Sequence, residues 1–421
     1  MDLQDFDNNM VSLVKNYEDE EGLHFSLKDI HVSAVNAIRR TILSDIPVVV
    51  IRTETSDINQ CQITVNTSRF HNEIVKQRLS CIPIHISSGQ ELKTFIDQHR
   101  LIVDVKNESN HEMRWVTTDD FRIQHKQNEQ ILDEIEMRSI FPHDPITNQP
   151  IDFLRLRPMM GLGAEGEHIQ LTADFSISNA KQNGMFNVVN KCAFHNVIDS
   201  EAREEMWSVV LQTLKEEGRS NEEIEFEKKN FQYLDANRCY KKDENGEANE
   251  FEFIVQSVGI YPNYEIVYYA CDILEKKFQR FIQDVQSQII PIHPSIESRD
   301  LGYTSVTVSS IENCYDVILE EEDYTMGYLL ERYLYSAFYV DPNKEHQDNE
   351  MTFVGFKKYH PHDAYSVIRM AYTKDSTAAL LLKQQLVQAS TEIVQLFNRL
   401  KTMFSPFLVR KIENAEEKSK E

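Results

Sequence analysis

Residues 33–86 read SAVNAIRRTILSDIPVVVIRTETSDINQCQITVNTSRFHNEIVKQRLSCIPIHI, and their apolar spacing sets the expectations for the whole chain. Ser33 is placed to cap a helix by accepting hydrogen bonds from first-turn backbone N–H groups. Val35, Ile38 and Ile42 follow at three- and four-residue spacing and share one helix face. Asn36, Arg39 and Arg40 fall largely off that stripe. Ile46-Pro47 ends the helix, because the residue before proline is pushed out of the α region. The β-branched run 48–51 then reads as a strand. After the polar turn 66–68, a second amphipathic helix carries Phe70, Ile74, Val75 and Leu79, and Cys81-Ile82-Pro83 closes it.

The order N-A-I-R-R, then Ser44-Asp45-Ile46-Pro47, then N-T-S-x-x-x-x-E-I-V-x-x-R-L-x-x-I-P-I resembles the α-motif of RNA polymerase. That motif belongs to the bacterial α subunit and to the third-largest subunit of RNA polymerase II. Alone, two helix arginines read as solvated charge; the long, position-specific match is what singles them out. The resemblance implies a subunit interface at Asn36, Arg39, Arg40, Pro47, Glu73, Arg78 and Pro83. It also implies that Arg40 docks the second-largest polymerase subunit, so that Arg40→Glu should spare the fold.

A length of 421 residues allows two or three domains with real cores. The net charge of −24 argues against a broad phosphate-binding surface, which depends on displaced counterions around lysine and arginine. No apolar run approaches a membrane span, and the acidic N-terminus lacks the form of a signal peptide. The six cysteines form no C-x-x-C pair, so they are expected to be reduced, small buried hydrophobes. Many third subunits carry a zinc-binding cysteine cluster in their insert. Residues 85–95 hold no cysteine here, and neither zinc nor any other cofactor is expected.

Along the chain, residues 1–22 read as a mobile lead-in with a helical turn around 10–14, and 24–30 as a strand. Residues 101–105 and 113–117 flank a turn and suggest a hairpin. Residues 130–137 are an acidic loop or short helix, and 151–156 a strand. Residues 161–166 are formally G-x-G-x-x-G. A dinucleotide loop must open a helix, whereas the alternation over 169–177 is a strand, so the nucleotide reading is rejected. The stretch with Gly161, Gly163, Glu167 and His168 is instead similar to a loop in the third subunit's inserted domain, which implies a partner-facing role. Residues 199–230 are acidic and helical, with Met206, Val209, Val210 and Leu214 in phase. A strand over 250–258 precedes a helix from Tyr264 bearing Val267, Ala270, Leu274, Phe278, Phe281, Val285 and Ile289.

Residues 291–302 read as a linker. Beyond it come a strand over 304–319, the acidic turn 320–323, a helix over 325–336, and strands 351–356 and 365–372 around His360-Pro361-His362. That histidine pair lacks a third ligand nearby and reads as a loop. Ser376 is placed to cap the last helix, whose seam of Leu382, Leu386, Ala389, Ile393, Leu396, Leu400 and Met403 has coiled-coil spacing. The charged tail from Lys411 is expected to be disordered. Residues 321–330, Phe353-Val354-Gly355-Phe356 and His360-Pro361 resemble the eleventh subunit of RNA polymerase II, the small partner of the third. Tyr328 departs from that family's usual asparagine, and Glu331 from its frequent arginine.

The expected fold is α+β. Two α-subunit-like dimerisation domains, 23–86 with 250–290 and 303–405, pair within one chain. The first is interrupted by an inserted β-rich domain, 87–249, and a charged tail occupies 406–421. Pairing is expected through Leu274, Phe278, Phe281, Thr325, Gly327, Leu386, Ile393 and Leu400. No nucleophile–base pair or phosphate loop is present. The implied role is a non-catalytic assembly platform of a DNA-directed RNA polymerase, docking the largest and second-largest subunits and small subunits. Nucleic acid is met only through that complex, and no membrane is involved. The fused order resembles that of large cytoplasmic DNA viruses, which implies the host cytoplasm and the virion; a cellular counterpart would be nuclear. A free-standing interaction scaffold and, more distantly, an enzyme using the glycine loop are the alternatives.

Overall fold

The computed structural model describes residues 11–86, 89–159, 165–294, 311–339, 351–373 and 378–418, with backbone alone for 89–91, 378–380 and 408–418. Gly161, Gly163, Ser376 and residues 295–302 of the expected linker lie outside the described residues.

The chain begins with β1 (Ser12–Asp19), β2 (Gly22–Lys28), α1 (Val32–Ser44), β3 (Val48–Val50), β4 (Cys61–Asn66) and α2 (Asn72–Ser80). There follow α3 (Gly89–Gln98), β5 (His99–Lys106), β6 (Arg114–Thr117), β7 (Arg122–His125), α4 (Glu134–Ile140), β8 (Asp152–Leu156), β9 (His168–Asp174), β10 (Ser176–Ser178) and β11 (Val189–Asn196). Next come α5 (Ser200–Glu216), α6 (Asn221–Leu234), β12 (Glu250–Ser257), α7 (Asn263–Gln286) and β13 (Ile292–Pro294). The chain ends with β14 (Cys314–Glu320), α8 (Tyr324–Phe338), β15 (Met351–Lys357), β16 (Tyr365–Tyr372) and α9 (Ala378–Lys418).

These elements form two compact units. One comprises residues 1–42, 191–256 and 267–421, the other 43–190 and 257–266. The second unit is β-rich. Its main sheet has the order β4-β9-β5-β7, with β6 paired to β8 and β3 to β10. Leu101, Val103, Phe121, Phe153, Leu156, Ile169 and Leu171 are fully buried in its core.

The first unit contains two antiparallel sheets, β1-β2-β12-β11 and β13-β14-β16-β15. Alternation in β2 and β12 buries Leu23, Phe25, Leu27, Phe251, Phe253 and Val255, and Phe25 stacks on Phe253 with ring centroids 4.7 Å apart. The expected α7 stripe is buried from Val267 to Val285, while Ile289 lies beyond the helix and is exposed. Helix α8 packs on α9 and against β15 and β16.

Several expectations are corrected. The lead-in contains β1, paired antiparallel to β2 through a two-residue turn. Gly22 closes that turn at φ 124°, and a Cβ there would sit 2.4 Å from the Val255 carbonyl oxygen. Residues 101–105 and 113–117 do not form a hairpin: β5 lies between β9 and β7, and β6 pairs with β8. The buried Asn107 diverts the chain, its Nδ2 donating to the carbonyls of Glu112 and Leu156, each at 2.9 Å. The first linker residues form β13 at a sheet edge, where proline removes no needed ladder bond. The tail does not leave the fold at once, because the helix-forming residues beyond Lys411 continue α9 to Lys418.

Ser33 is not the cap of α1; its own backbone N–H donates to Nδ1 of His31 at 3.2 Å. On α2 only Val75 and Leu79 of the expected stripe are buried, while Phe70 and Ile74 are exposed. Helix α5 buries no residue fully, because its packing partner is the short α6, with Trp207 meeting Phe231 at 5.4 Å. Cys81, at the C-cap of α2, is exposed and Cys192 is half-buried; the other four cysteines are buried.

Gly327, on α8, lets the Phe356 ring of β15 lie against the helix: an added Cβ would meet that ring at 2.0 Å. Gly327→Ala should therefore destabilise the chain by about 1–3 kcal/mol through overpacking, despite alanine's better helix propensity. Urea unfolding of both proteins checks this, and equal midpoints would show that Phe356 moves aside freely.

Candidate functional site

Within the first unit, residues distant in sequence meet along a seam. At its centre Arg40, on α1, donates from Nε to Thr325 Oγ1 at 2.8 Å and from Nη2 to Asp323 Oδ2 at 2.6 Å. Asp323 also caps α8, accepting from the Thr325 N–H at 2.9 Å. Burial pushes the Asp323 carboxyl upward, but the Thr325 N–H and the Arg40 guanidinium outweigh it and hold the group below its ordinary value.

Further along, Lys401 of α9 donates to Asp272 of α7 at 3.1 Å and also to Glu275. Burial would lower the Lys401 pKa, yet these two carboxylates raise it. Lys277 reaches Glu322 at 3.2 Å, and Arg332 reaches Glu247 at 2.9 Å. Phe25 meets Phe404 edge-on, with centroids 5.1 Å apart. The seam therefore combines an apolar contact with charge pairs that are each at least partly shielded.

Of the residues expected to face partners, several have local work. Asn36 Oδ1 accepts from Arg39 Nε at 3.1 Å, which orients that guanidinium. Arg40 is engaged inside the chain, so the expectation that Arg40→Glu spares the fold is replaced. Pro47, half-buried, accepts at its carbonyl from the Tyr261 hydroxyl at 2.6 Å. Arg78 donates to the backbone carbonyls of Phe153 and Asp152 at 2.6 and 3.1 Å, tying α2 to β8. Glu167 is buried and paired with Arg157, whose Nε lies 2.5 Å away. His168 Nε2 lies 2.7 Å from Asp104 Oδ1. Glu73 is exposed and Pro83 half-buried.

Of the pairing residues, Leu274, Phe278, Phe281, Leu386, Ile393 and Leu400 are buried. Thr325 is the Arg40 acceptor, and Gly327 makes room for Phe356. Asp323, Lys401, Asp272 and Glu275 also belong to the seam, although their sequence pattern did not single them out. Asp323 carried a signal as the aspartate just before a helix, and Lys401 as a cation beside an apolar stripe. His360 and His362 form an exposed turn, and among the described residues no cluster of three His, Cys, Asp or Glu is arranged to hold a metal.

A family model described as the RNA polymerase Rpb3/Rpb11 dimerisation domain matches residues 24–278. The DNA-directed RNA polymerase subunit Rpo3 of Pyrococcus furiosus is 24% identical over 284 residues, which cover 63% of this chain and 94% of that subunit.

Arg40→Ala should cost roughly 1–3 kcal/mol, since it removes two hydrogen bonds from a cationic guanidinium, one to a carboxylate and one to a hydroxyl; Arg40→Glu should cost more by facing Asp323. The Asp323 pKa is depressed on folding, so its contribution is full above the unfolded value of about 4 and is lost as pH falls through the lower folded value. The wild type should accordingly lose stability below about pH 4 more steeply than Arg40→Ala. Urea titrations of both across pH 3–7, chosen as roughly the carboxylate range, measure this. Parallel curves would mean that the ion pair contributes nothing to folding.

Proposed function

Because the chain belongs to the RNA polymerase Rpb3/Rpb11 dimerisation family, we propose that it is a non-catalytic assembly subunit of a multisubunit DNA-directed RNA polymerase, with both partners of an α-like pair in one polypeptide. The observation that carries this reading is the Arg40 clamp. It joins the helix bearing the α-motif to the helix whose sequence resembles the eleventh subunit. On this reading β1, β2, α1, β11, β12 and α7 form one half, with the β-rich unit inserted in it, and β13 to α9 form the other.

The paired halves serve as a platform for the largest and second-largest subunits, which supply the catalytic chemistry, and for smaller subunits. The fused order supports a viral polymerase working in the host cytoplasm and carried in the virion, by resemblance to large cytoplasmic DNA viruses. Mild affinity purification of the tagged full chain, followed by sizing and mass spectrometry, should recover both large subunits. A chain that runs at its own mass would leave the free-standing scaffold as the better reading.

The pairing itself has a separate check. A protease site placed within residues 295–301 keeps β13 with the first fragment. After cleavage the two fragments should co-elute, held by the seam contacts and by the β13–β14 pairing. Two independently folded, separately eluting fragments would end the paired-halves model.

A further inference from the structure

A groove of about 630 Å³ runs between α1 and α8. Its α8 wall is made by Tyr324, Tyr328, Glu331 and Tyr335, which recur at four-, three- and four-residue spacing and so share one helix face. The α1 wall includes Val32, Ser33 and Asn36. Val32, Tyr328 and Tyr335 are 42%, 46% and 47% exposed. Large apolar surface gathered in one cleft marks a binding surface more often than scattered exposure does.

The charge in this groove is uneven. Arg332 is held by Glu247 at 2.9 Å, and Arg40, which lies beside the groove with its guanidinium 6.0 Å over the Tyr324 ring, by Asp323. His31 is neutral at ordinary pH, since burial and then the Arg332 charge lower its pKa to about 4. Among the described residues Glu331 has no such cation: its hydrogen bond comes from the Phe356 N–H at 3.3 Å, and burial pushes its pKa upward. A wholly apolar ligand would cover this carboxylate and leave it desolvated and unpaired, which is costly. A phosphate-bearing ligand would meet like charge. A cation on an aliphatic stem suits both features, because its stem and charge lie well on aromatic faces and its head pairs with the carboxylate.

We propose that this groove docks a basic segment of a partner polypeptide, seating one lysine or arginine among Tyr324, Tyr328 and Tyr335 with its charge on Glu331. The volume exceeds one side chain, so apolar neighbours of the basic residue lie along Val32 and Val354. Because α1 supplies one wall and α8 the other, an occupant bridges both sides of the seam. The proposal goes beyond the polymerase reading and does not require it.

The test uses the full tagged chain, expressed in the cells where it functions, with photoreactive p-benzoylphenylalanine in place of Tyr328. After irradiation, the cross-linked peptide is mapped by mass spectrometry. The expected product is a partner peptide with a lysine or arginine beside the cross-link. Its yield should fall at least about tenfold with Glu331→Lys, as for loss of a partly buried charge pair. Glu331→Gln should lower it less and keeps the acceptor for the Phe356 N–H, so it serves if the lysine variant melts early. A cross-link of undiminished yield in both Glu331 variants overturns the proposal. So does a cross-link to nucleic acid, to a second copy of this chain or to a peptide without a base, and so does the absence of any cross-link. Recovery of the large polymerase subunits in the same purification is scored separately and bears on the assembly role alone.

Discussion

The Arg40 guanidinium between Asp323 and Thr325 is the contact on which the geometry of the seam depends. A planar guanidinium presents donors in fixed directions, so satisfying both acceptors fixes the approach of α1 to the first turn of α8. Asp323 is committed twice, to the Thr325 N–H that begins α8 and to Arg40. A shift of α1 would therefore also disturb the capping of α8. Lys401 repeats this logic on α7, where one ammonium serves Asp272 and Glu275. Fully exposed ion pairs contribute little stability, about 0–1 kcal/mol; the seam pairs are partly shielded and contribute more, and they also set register, while Phe25, Phe404 and the buried helix stripes provide the apolar burial.

Much of the fold was legible where apolar spacing carried a clear period. Helices α1 and α7 and strands β2 and β12 follow from it. What was missed has physical causes. Strand β1 sits at a sheet edge and is mostly exposed, so it has no alternation to read. Strand β13 is short, ends in proline and takes its place from β14 alone. The pairing of β5 and β6 was misread because the polar run between them looks like a turn, whereas Asn107 turns inward to bind backbone.

Helix α9 is instructive in detail. A seven-residue seam predicts Leu396 and Met403 inside, but Phe397 and Phe404 are buried instead. The buried positions Leu386 and Phe397, Ala389 and Leu400, and Ile393 and Phe404 follow an eleven-residue repeat, the spacing of a helix that does not supercoil to the left. A straight α-helix drifts away from a strict heptad, and α9 follows the drift because its neighbours are several, the shorter α8, the Phe25 ring and, through Lys401, α7, rather than one coiled partner helix. The candidate site was legible on one side only. Arg39 and Arg40 were singled out by the long motif match around them, but the Arg40–Asp323 pair spans 283 positions, and no local pattern announces such a partner.

The covalent link between the two sides of the seam changes what the seam has to do. Separate polypeptides must overcome lost translational and rotational freedom, of order 4–15 kcal/mol at standard concentration. Within one chain pairing does not depend on subunit supply, because a tether holds the ends at an effective concentration on the order of millimolar, which favours pairing by about 4 kcal/mol over free subunits at roughly micromolar concentration. A tethered seam can therefore tolerate polar, adjustable contacts where a free dimer would need a larger dry interface. That tolerance is visible in the groove beside Arg40. The tyrosines of α8 are left partly exposed and, among the described residues, the Glu331 carboxylate is left without a cation, features that a seam under pressure to hold two free subunits together would be expected to bury or to pair.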